Sequence, residues 1–526
     1  MMTRSSRHRY ASSLALGALA LALSTAGVAC SDDDDTTPGA GGSAGTAGGA
    51  GAAGLSDAGP DGTAGAAGGG ADAAGNARLR VVHASSDAPA VDVYAKGNAT
   101  PLVANLAYGK ASSYLELPAG SYQVELRAAG ASPTDAPAFE TPALEVLAGK
   151  TYTAIAAGSL ASSADDDKFR VMALEEGFGA SEAGKVRVRV VHAGFDAPTV
   201  DLDVGNDNPA APELSGLARF ADTGVEGVPL PAATALQIGL AASGKTVTAF
   251  TTPSLPDQSS LFVVAAGQIA RSPRDATGFA LLAVLADGTT AWLKQNPFVY
   301  ALHASPDAPA VDVYAGSAEL IDNVAFAAMG RIQVAPGSYT LDFFPGQAGA
   351  TPKPSTNPAV SLATPELGAG ETYLTIATGL LASAGADKFQ FIHLAEGFSD
   401  VPDGKALVRA AHASPDAPAV DLGTVTTSGT LDPSALVYDL AFPNATEPGG
   451  AALSAGGLTL GVAAKGTTST VAEFALAPTA GQRLFAIATG MLAPAQGQKG
   501  FGLMVVDATS TNITSPWGVV AVAPKP

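Results

Sequence analysis

One cysteine, Cys30, stands in the 526 residues, so an internal disulfide or a multi-cysteine zinc site is excluded. The domains must cohere through buried apolar surface alone. Charge is scarce too: Asp, Glu, Lys and Arg make up 14% of the chain, against about a quarter in ordinary globular proteins. Long Lys/Glu-rich amphipathic helices are therefore not expected. Basic residues are the scarcer kind, 28 against 48 acids, for a net charge of −20. Such a surface repels phosphate backbones and anionic headgroups, which argues against a nucleic-acid partner. It also keeps an exported protein soluble. What is plentiful is Ala, Gly and Pro, with 61 glycines and 36 prolines. Short strands joined by tight turns fit that composition, and the length accommodates three or four domains of roughly 100–200 residues.

Met1 to Tyr10 is basic, Leu14 to Leu23 is apolar, and Ser24-Thr25-Ala26-Gly27-Val28-Ala29-Cys30 follows. A basic start, a short apolar stretch and small residues form a secretory signal, too short to span a membrane. The last segment resembles the lipobox of bacterial lipoproteins, in which cleavage just before a cysteine exposes it for diacylglyceryl transfer. Val28 and Ala29 fit that pattern, whereas Gly27 departs from the usual Leu. The resemblance implies a signal peptide at 1–29, lipidation at Cys30 and a membrane partner through that lipid. Several acyl chains at about 0.8 kcal/mol per buried methylene would anchor the protein durably. Residues 30–77 then read as a disordered, low-complexity tether. It opens on Asp32 to Asp35 and has Leu55 as its large apolar side chain. Too little surface could be buried there to offset the ordering entropy, and a coil of that length reaches on the order of 40 Å.

Internal repetition is the strongest signal. The frame His-Ala-x-x-Asp-Ala-Pro-x-Val-Asp occurs four times, with histidines at His83, His192, His303 and His412. Their spacings are 109, 111 and 109 residues. A longer period of 220 is superimposed: Lys168-Phe169 returns as Lys388-Phe389, and Glu176-Gly177-Phe178 as Glu396-Gly397-Phe398. Repeat 1 thus pairs with repeat 3 and repeat 2 with repeat 4, as if a two-domain unit had been duplicated whole. Tyrosines gather in the odd repeats, while Trp292 and Trp517 close the even ones.

Within a repeat the apolar period is two. Tyr122, Val124 and Leu126 alternate with Gln123, Glu125 and Arg127 after a Pro118-Ala119-Gly120 turn, as a strand with one buried face requires. Leu79–His83, Ala90–Tyr94, Ser113–Leu117, Thr151–Ala157 and Phe169–Leu174 also read as strands. The expected fold is all-β: four tandem antiparallel β-sandwich (Ig-like) repeats at 78–180, 185–291, 297–400 and 405–526. Little helix is expected.

The stretch His303 to Tyr314, the Pro-Ala-Gly-Ser-Tyr of Pro118 to Tyr122 and the Ala-Gly-Lys-Thr-Tyr-Thr of Ala148 to Thr153 resemble the bacterial domain of unknown function 4397 family. The resemblance is close in repeats 1 and 3. It is looser in repeats 2 and 4, where Val-Asp-Val-Tyr becomes Val200 to Asp203 or Val420 to Gly423. It implies an exported β-rich module and assigns no activity.

The recurring residues are His83, Asp87, Pro89 and Asp92; His192, Asp196, Pro198 and Asp201; His303, Asp307, Pro309 and Asp312; and His412, Asp416, Pro418 and Asp421. One His and two carboxylates are a mixed N/O ligand set. The competing reading is structural: the His ends a strand, the first Asp and the Pro shape the turn, and the second Asp opens the next strand. Retention in all four copies favours the structural reading, since a catalytic site is usually kept in one. A serine triad is excluded, because Ser85, His83 and Asp87 lie too close along one extended segment. No P-loop, dinucleotide-binding glycine pattern or His-Glu-x-x-His helix occurs.

No catalytic residue, resident metal or cofactor is therefore expected. The expected function is that of a non-catalytic, envelope-anchored lipoprotein, at the outer membrane or cell surface, presenting modules to a polysaccharide or protein ligand. A structural spacer without a specific ligand is the alternative. A metal-dependent enzyme using the His/Asp motif ranks third.

Overall fold

The computed structural model describes residues 75–526 apart from 348, 350, 351, 428, 433, 435, 512 and 513. The expected signal peptide, Cys30 and nearly all of the expected tether lie outside the described residues. The described residues form one compact unit. Every regular element among them is a strand, and none is a helix. The all-β expectation therefore holds.

Each motif period carries two main sheets, and repeat 1 adds a two-stranded one of Gly120–Tyr122 and Leu144–Val146. In repeat 1 the strands Arg170–Glu175, Thr151–Ala157, Asn76–His83 and Leu115–Pro118 form one sheet in that order. Val103–Leu106, Val91–Ala95, Val124–Ala128 and Phe139–Glu140 form the other. The same order recurs around the opening strands Lys185–His192, Phe298–His303 and Lys405–Ala413. Repeats 2 and 4 add a fifth strand to the first sheet, Thr290–Leu293 and Gly518–Val522 respectively.

Pairing between these strands is antiparallel except at one place in each repeat. There the opening strand runs parallel to a strand about seventy residues later: Val82 faces Ile155, Val191 faces Val264, Leu302 faces Ile376 and Ala411 faces Ile487. Between the two the chain crosses to the second sheet and back, as a parallel pair requires.

The opening strands are apolar on both faces. In repeat 1, Val81 packs inside its own sandwich with Val91, Val93 and Leu126. Val82 points the other way, into a core shared with Val191, Phe262, Val264 and Leu282 of repeat 2. Repeats 3 and 4 do the same, with Leu302, Leu374 and Ile376 against Ala411, Phe485 and Ile487. The first sheets of the two repeats in each 220-residue pair therefore stack on one another, and a sheet covered on both faces reads as an unbroken apolar run.

Arg127 departs from the strand pattern. Expected to face solvent, it is buried, because its guanidinium pairs with Glu125 at 2.5 Å and lies over the Tyr94 ring at 5.6 Å.

Candidate functional site: the recurrent His-Asp corner

The four histidines end or nearly end their opening strands on the face turned into their own sandwich, and each is at most 2% exposed. Each Nε2 lies within hydrogen-bond distance of the carbonyl of the motif proline: Pro89 at 2.9 Å, Pro198 at 2.9 Å, Pro309 at 2.8 Å and Pro418 at 3.0 Å. A carbonyl can only accept, so the ring donates from Nε2, and a neutral ring there is the Nε2–H tautomer. Nδ1 of His83, His192 and His303 is buried without a partner, whereas Nδ1 of His412 accepts from the Ser414 amide at 3.4 Å. Burial pushes all four pKa values below the usual 6.5, outweighing the proline hydrogen bond.

The first aspartate reaches far beyond its own turn. Asp87 accepts the amides of Leu160 at 3.1 Å and Ala161 at 3.0 Å, and Asp196 those of Ile269 and Ala270 at 3.0 and 3.1 Å. Asp307 accepts Leu381 and Ala382 at 2.9 and 3.1 Å, and Asp416 accepts Leu492 and Ala493 at 2.8 and 2.9 Å. Turn chemistry alone points to amides of the same turn as donors. The partners are instead consecutive amides of the loop that follows the parallel strand.

That loop repeats as well: Gly158-Ser159-Leu160-Ala161, Gly267-Gln268-Ile269-Ala270, Gly379-Leu380-Leu381-Ala382 and Gly490-Met491-Leu492-Ala493. Its glycines have φ of 84°, 86°, 81° and 79°. A Cβ on them would stand 2.4, 2.3, 2.1 and 2.1 Å from a facing carbonyl oxygen, so only glycine fits. Ser85, Ser305 and Ser414 donate to the glycine carbonyls at 2.7, 2.6 and 2.6 Å, and Gly194 takes that place in repeat 2. The recurrent Gly-x-Leu/Ile-Ala is the mark this loop leaves in the sequence.

The second aspartate holds a β-bulge. The ladder slips between Val91 and Val93, Val200 and Leu202, Val311 and Val313, and Val420 and Leu422, that is, around Asp92, Asp201, Asp312 and Asp421. The facing residues Asn105, Gly216, Asn323 and Asp439 have φ of 53°, 75°, 46° and 55°. Each donates its amide to the aspartate, at 2.7, 2.8, 2.8 and 2.8 Å respectively. In three copies the other oxygen accepts a second amide, from Gly130, Gln347 or Gly466, at 2.9, 3.0 and 2.8 Å. A residue in left-handed geometry beside a bulge is thereby tied to the neighbouring strand.

The two aspartates of a copy thus reach different segments of backbone. One group of three acids among the described residues, Asp312, Glu319 and Asp322, brings ligand atoms within 4.8 Å of one another. Asp312 is its only motif member, and both its oxygens already accept amides.

Neither tryptophan is an open platform. Trp517 is 7% exposed, stacks on Tyr300 at 4.3 Å and donates from Nε1 to Ser510 at 3.1 Å. Trp292 packs at the core shared by repeats 1 and 2, with Tyr108 at 5.2 Å.

Residues 77–203 and 297–423 each match the family model described as "Domain of unknown function (DUF4397)". The chain carries two tandem segments that match DUF4397. Their starts lie one long period apart. Each DUF4397 match spans an odd repeat and runs on through the opening strand and second motif aspartate of the even repeat beside it. No curated protein matches the chain. Among solved structures, the Bacillus anthracis TIE protein aligns at 12% identity over 57% of this chain, with a TM-score of 0.13. The chain covers 50% of that protein. Similarity at that level carries no argument about the fold or function of the DUF4397 array.

Proposed function

We propose that the chain is a non-catalytic, lipid-anchored envelope protein that presents its DUF4397 domains for binding or adhesion. The observation that carries the non-catalytic part is where the motif side chains point. Each histidine is buried against a proline carbonyl, and each aspartate accepts backbone amides of its own repeat. In this reading the motif builds corners and leaves no base, nucleophile or ligand set free for substrate. Support for the anchor comes from Cys30, the sole cysteine, placed after the small residues of a lipobox-like segment. The membrane is then a partner through that lipid, and a polysaccharide or protein is the ligand, with repetition raising avidity.

The spacer reading has its own support. Shared cores and a hydrogen-bonded joint between repeats 2 and 3, where Gln333 bonds to Ala249, Thr248 and Asn296, suit a stiff body that only sets distance.

Three measurements test the proposal. Cys30→Ser should release the protein from sedimenting membranes and abolish lipid labelling; unchanged sedimentation and labelling would remove the anchor. Saturable retention on glycan, cell-wall or envelope-protein matrices is expected for a binding module, and its absence leaves the spacer. A stoichiometric metal surviving dialysis would overturn the non-catalytic reading.

A further inference from the structure

Repeat 3 differs from the other three at the middle of its sandwich. On its opening strand Phe298–His303, Ala301 points into the repeat's own interior, where repeats 1, 2 and 4 carry Val81, Val190 and Ala410. Those three are at most 8% exposed, whereas Ala301 is only partly buried. The strand beside it shows the same contrast. Ala377 pairs with His303 and is partly buried, while its equivalents Ala156, Ala265 and Ala488 are at most 4% exposed. At these two central positions the side chain meets empty space in repeat 3 alone.

The space is a cavity of about 50 Å³ between the two sheets. Its origin is small residues: Ala301 pairs across the ladder with Gly330, and a Cβ on Gly330 would reach Ile321, another lining residue, at 3.1 Å. Val299, Ala301 and His303 line the cavity from one strand. Three alternate inward positions span about 13 Å at roughly 3.3 Å per residue, so the void is long and slim. An engineered core void of about 150 Å³ admits benzene. This smaller, narrower one suits a run of methylenes and not a ring. Leu320 and Ile332 line it from Ala318–Val324 and Met329–Gln333, an edge strand of each sheet, and both are only partly buried. A chain can enter between those edges.

No lining residue is charged, and the hydroxyls among them are engaged. Tyr339 donates to the Ala335 carbonyl at 2.6 Å, Thr364 accepts the Tyr339 amide at 2.9 Å, and Thr375 bonds to His393 Nδ1 at 2.8 Å. The neutral His303 ring gives its Nε2–H to Pro309, and its Nδ1 is shut off from solvent. We propose that repeat 3 holds a pocket for the end of a neutral, unbranched alkyl chain, a ligand separate from any polymer or protein that the array engages. A polar head would find no partner inside, and burying one unpaired is costly, so the head stays in water at the edge. Each methylene that enters gains burial with no hydrogen bond lost. The net charge of −20 further disfavours an anionic head.

Calorimetric titration of the full chain with 1-hexanol tests this, with cyclohexanol and hexanoate as comparisons. Wild type should take up hexanol saturably, and the ring and the carboxylate more weakly by about tenfold or more. Ala301→Val restores the residue of repeats 1 and 2, so the variant should fold and melt no lower than wild type. It should lose about tenfold in hexanol affinity, as when two methylenes are left unburied. Amide exchange locates the ligand: hexanol should slow Phe298–His303 and Thr372–Thr378 and leave their counterparts Lys405–Ala413 and Arg483–Thr489 unchanged. Absence of saturable binding, binding that survives Ala301→Val, equal affinity for cyclohexanol or hexanoate, or exchange unchanged in repeat 3 would overturn the pocket. So would an Ala301→Val chain that melts lower, because the added methyls would then have met no room.

Discussion

Arg80 of repeat 1 donates to the Leu285 carbonyl of repeat 2 at 2.6 Å, across 205 residues of chain. It is 1% exposed, and its guanidinium lies 5.4 Å from the Phe262 ring, which Arg189 of repeat 2 also approaches, at 5.5 Å. Repeats 3 and 4 make a reciprocal bond instead. Thr378 donates to the Ala413 carbonyl at 2.8 Å, and Thr489 donates to the Ala304 carbonyl at 3.1 Å. The register places buried Ala157 and Ala266 at those threonine positions in the first pair.

A single odd repeat should therefore be a poor folding unit. Residues 75–296 are expected to give a cooperative thermal transition by circular dichroism, whereas 75–180 alone should aggregate or self-associate in sedimentation. The cause is exposure of Val82 and Ile155, which the neighbouring sheet covers. Within the pair, Phe262→Ala should cost about 3–5 kcal/mol. A monomeric 75–180 as stable as the pair would contradict this.

Asp307→Ala removes the acceptor for the Leu381 and Ala382 amides and for Ser305. We expect a loss of about 1–3 kcal/mol, the usual penalty for leaving such donors unmade. It should be read as a lower melting temperature and as faster amide exchange confined to the 380–383 loop. Asp307→Asn, which keeps one acceptor oxygen, should lose less.

Stability should fall as pH drops below 6.5. The four motif histidines are neutral when folded and have lowered pKa values, while an unfolded histidine takes up its proton from 6.5 downward. Their contribution is complete above 6.5 and is lost as pH falls through the lowered values. Asp87 adds a second loss, below 3.8. Burial opposes its ionisation, but the Ser159, Ala161, Leu160 and Ser85 donors hold its pKa down. Melting temperatures across this range, for wild type and His303→Gln, measure the first effect. A flat profile for wild type would refute it.

Gly379→Ala should destabilise more than Gly97→Ala. Both glycines have positive φ, 81° and 85°. A Cβ on Gly379 would meet the Lys388 carbonyl at 2.1 Å, whereas nothing lies within 4 Å of one on Gly97. Only backbone strain of about 1 kcal/mol applies at Gly97. Paired thermal melts give the difference directly.

The sequence made some of this legible and hid the rest for physical reasons. Strands such as Thr151–Ala157 were readable to the residue because β-branched Thr151, Thr153 and Ile155 recur along a short run closed by a glycine. The doubled burial of the opening strands was not, since an unbroken apolar run fits either one covering layer or two. The structural role of the motif histidine was legible from its place at a strand end in all four copies. The reach of Asp87 to Leu160 and Ala161 was not, because backbone donors leave no mark in residue type. The bulge at Asn105, Asn323 and Asp439 left one trace, a small polar residue just before the Leu or Val that pairs with the motif strand.

The strand Asn76–His83 lies hydrogen-bonded between an antiparallel neighbour on one side and a parallel neighbour on the other. Tension entering the folded body at its amino-terminal end therefore runs along that strand, and both ladders are loaded in shear, many bonds together, instead of being peeled open one at a time. A pull from the side of residue 75 thus has to break the ladder to Thr151–Ala157 as a set rather than bond by bond.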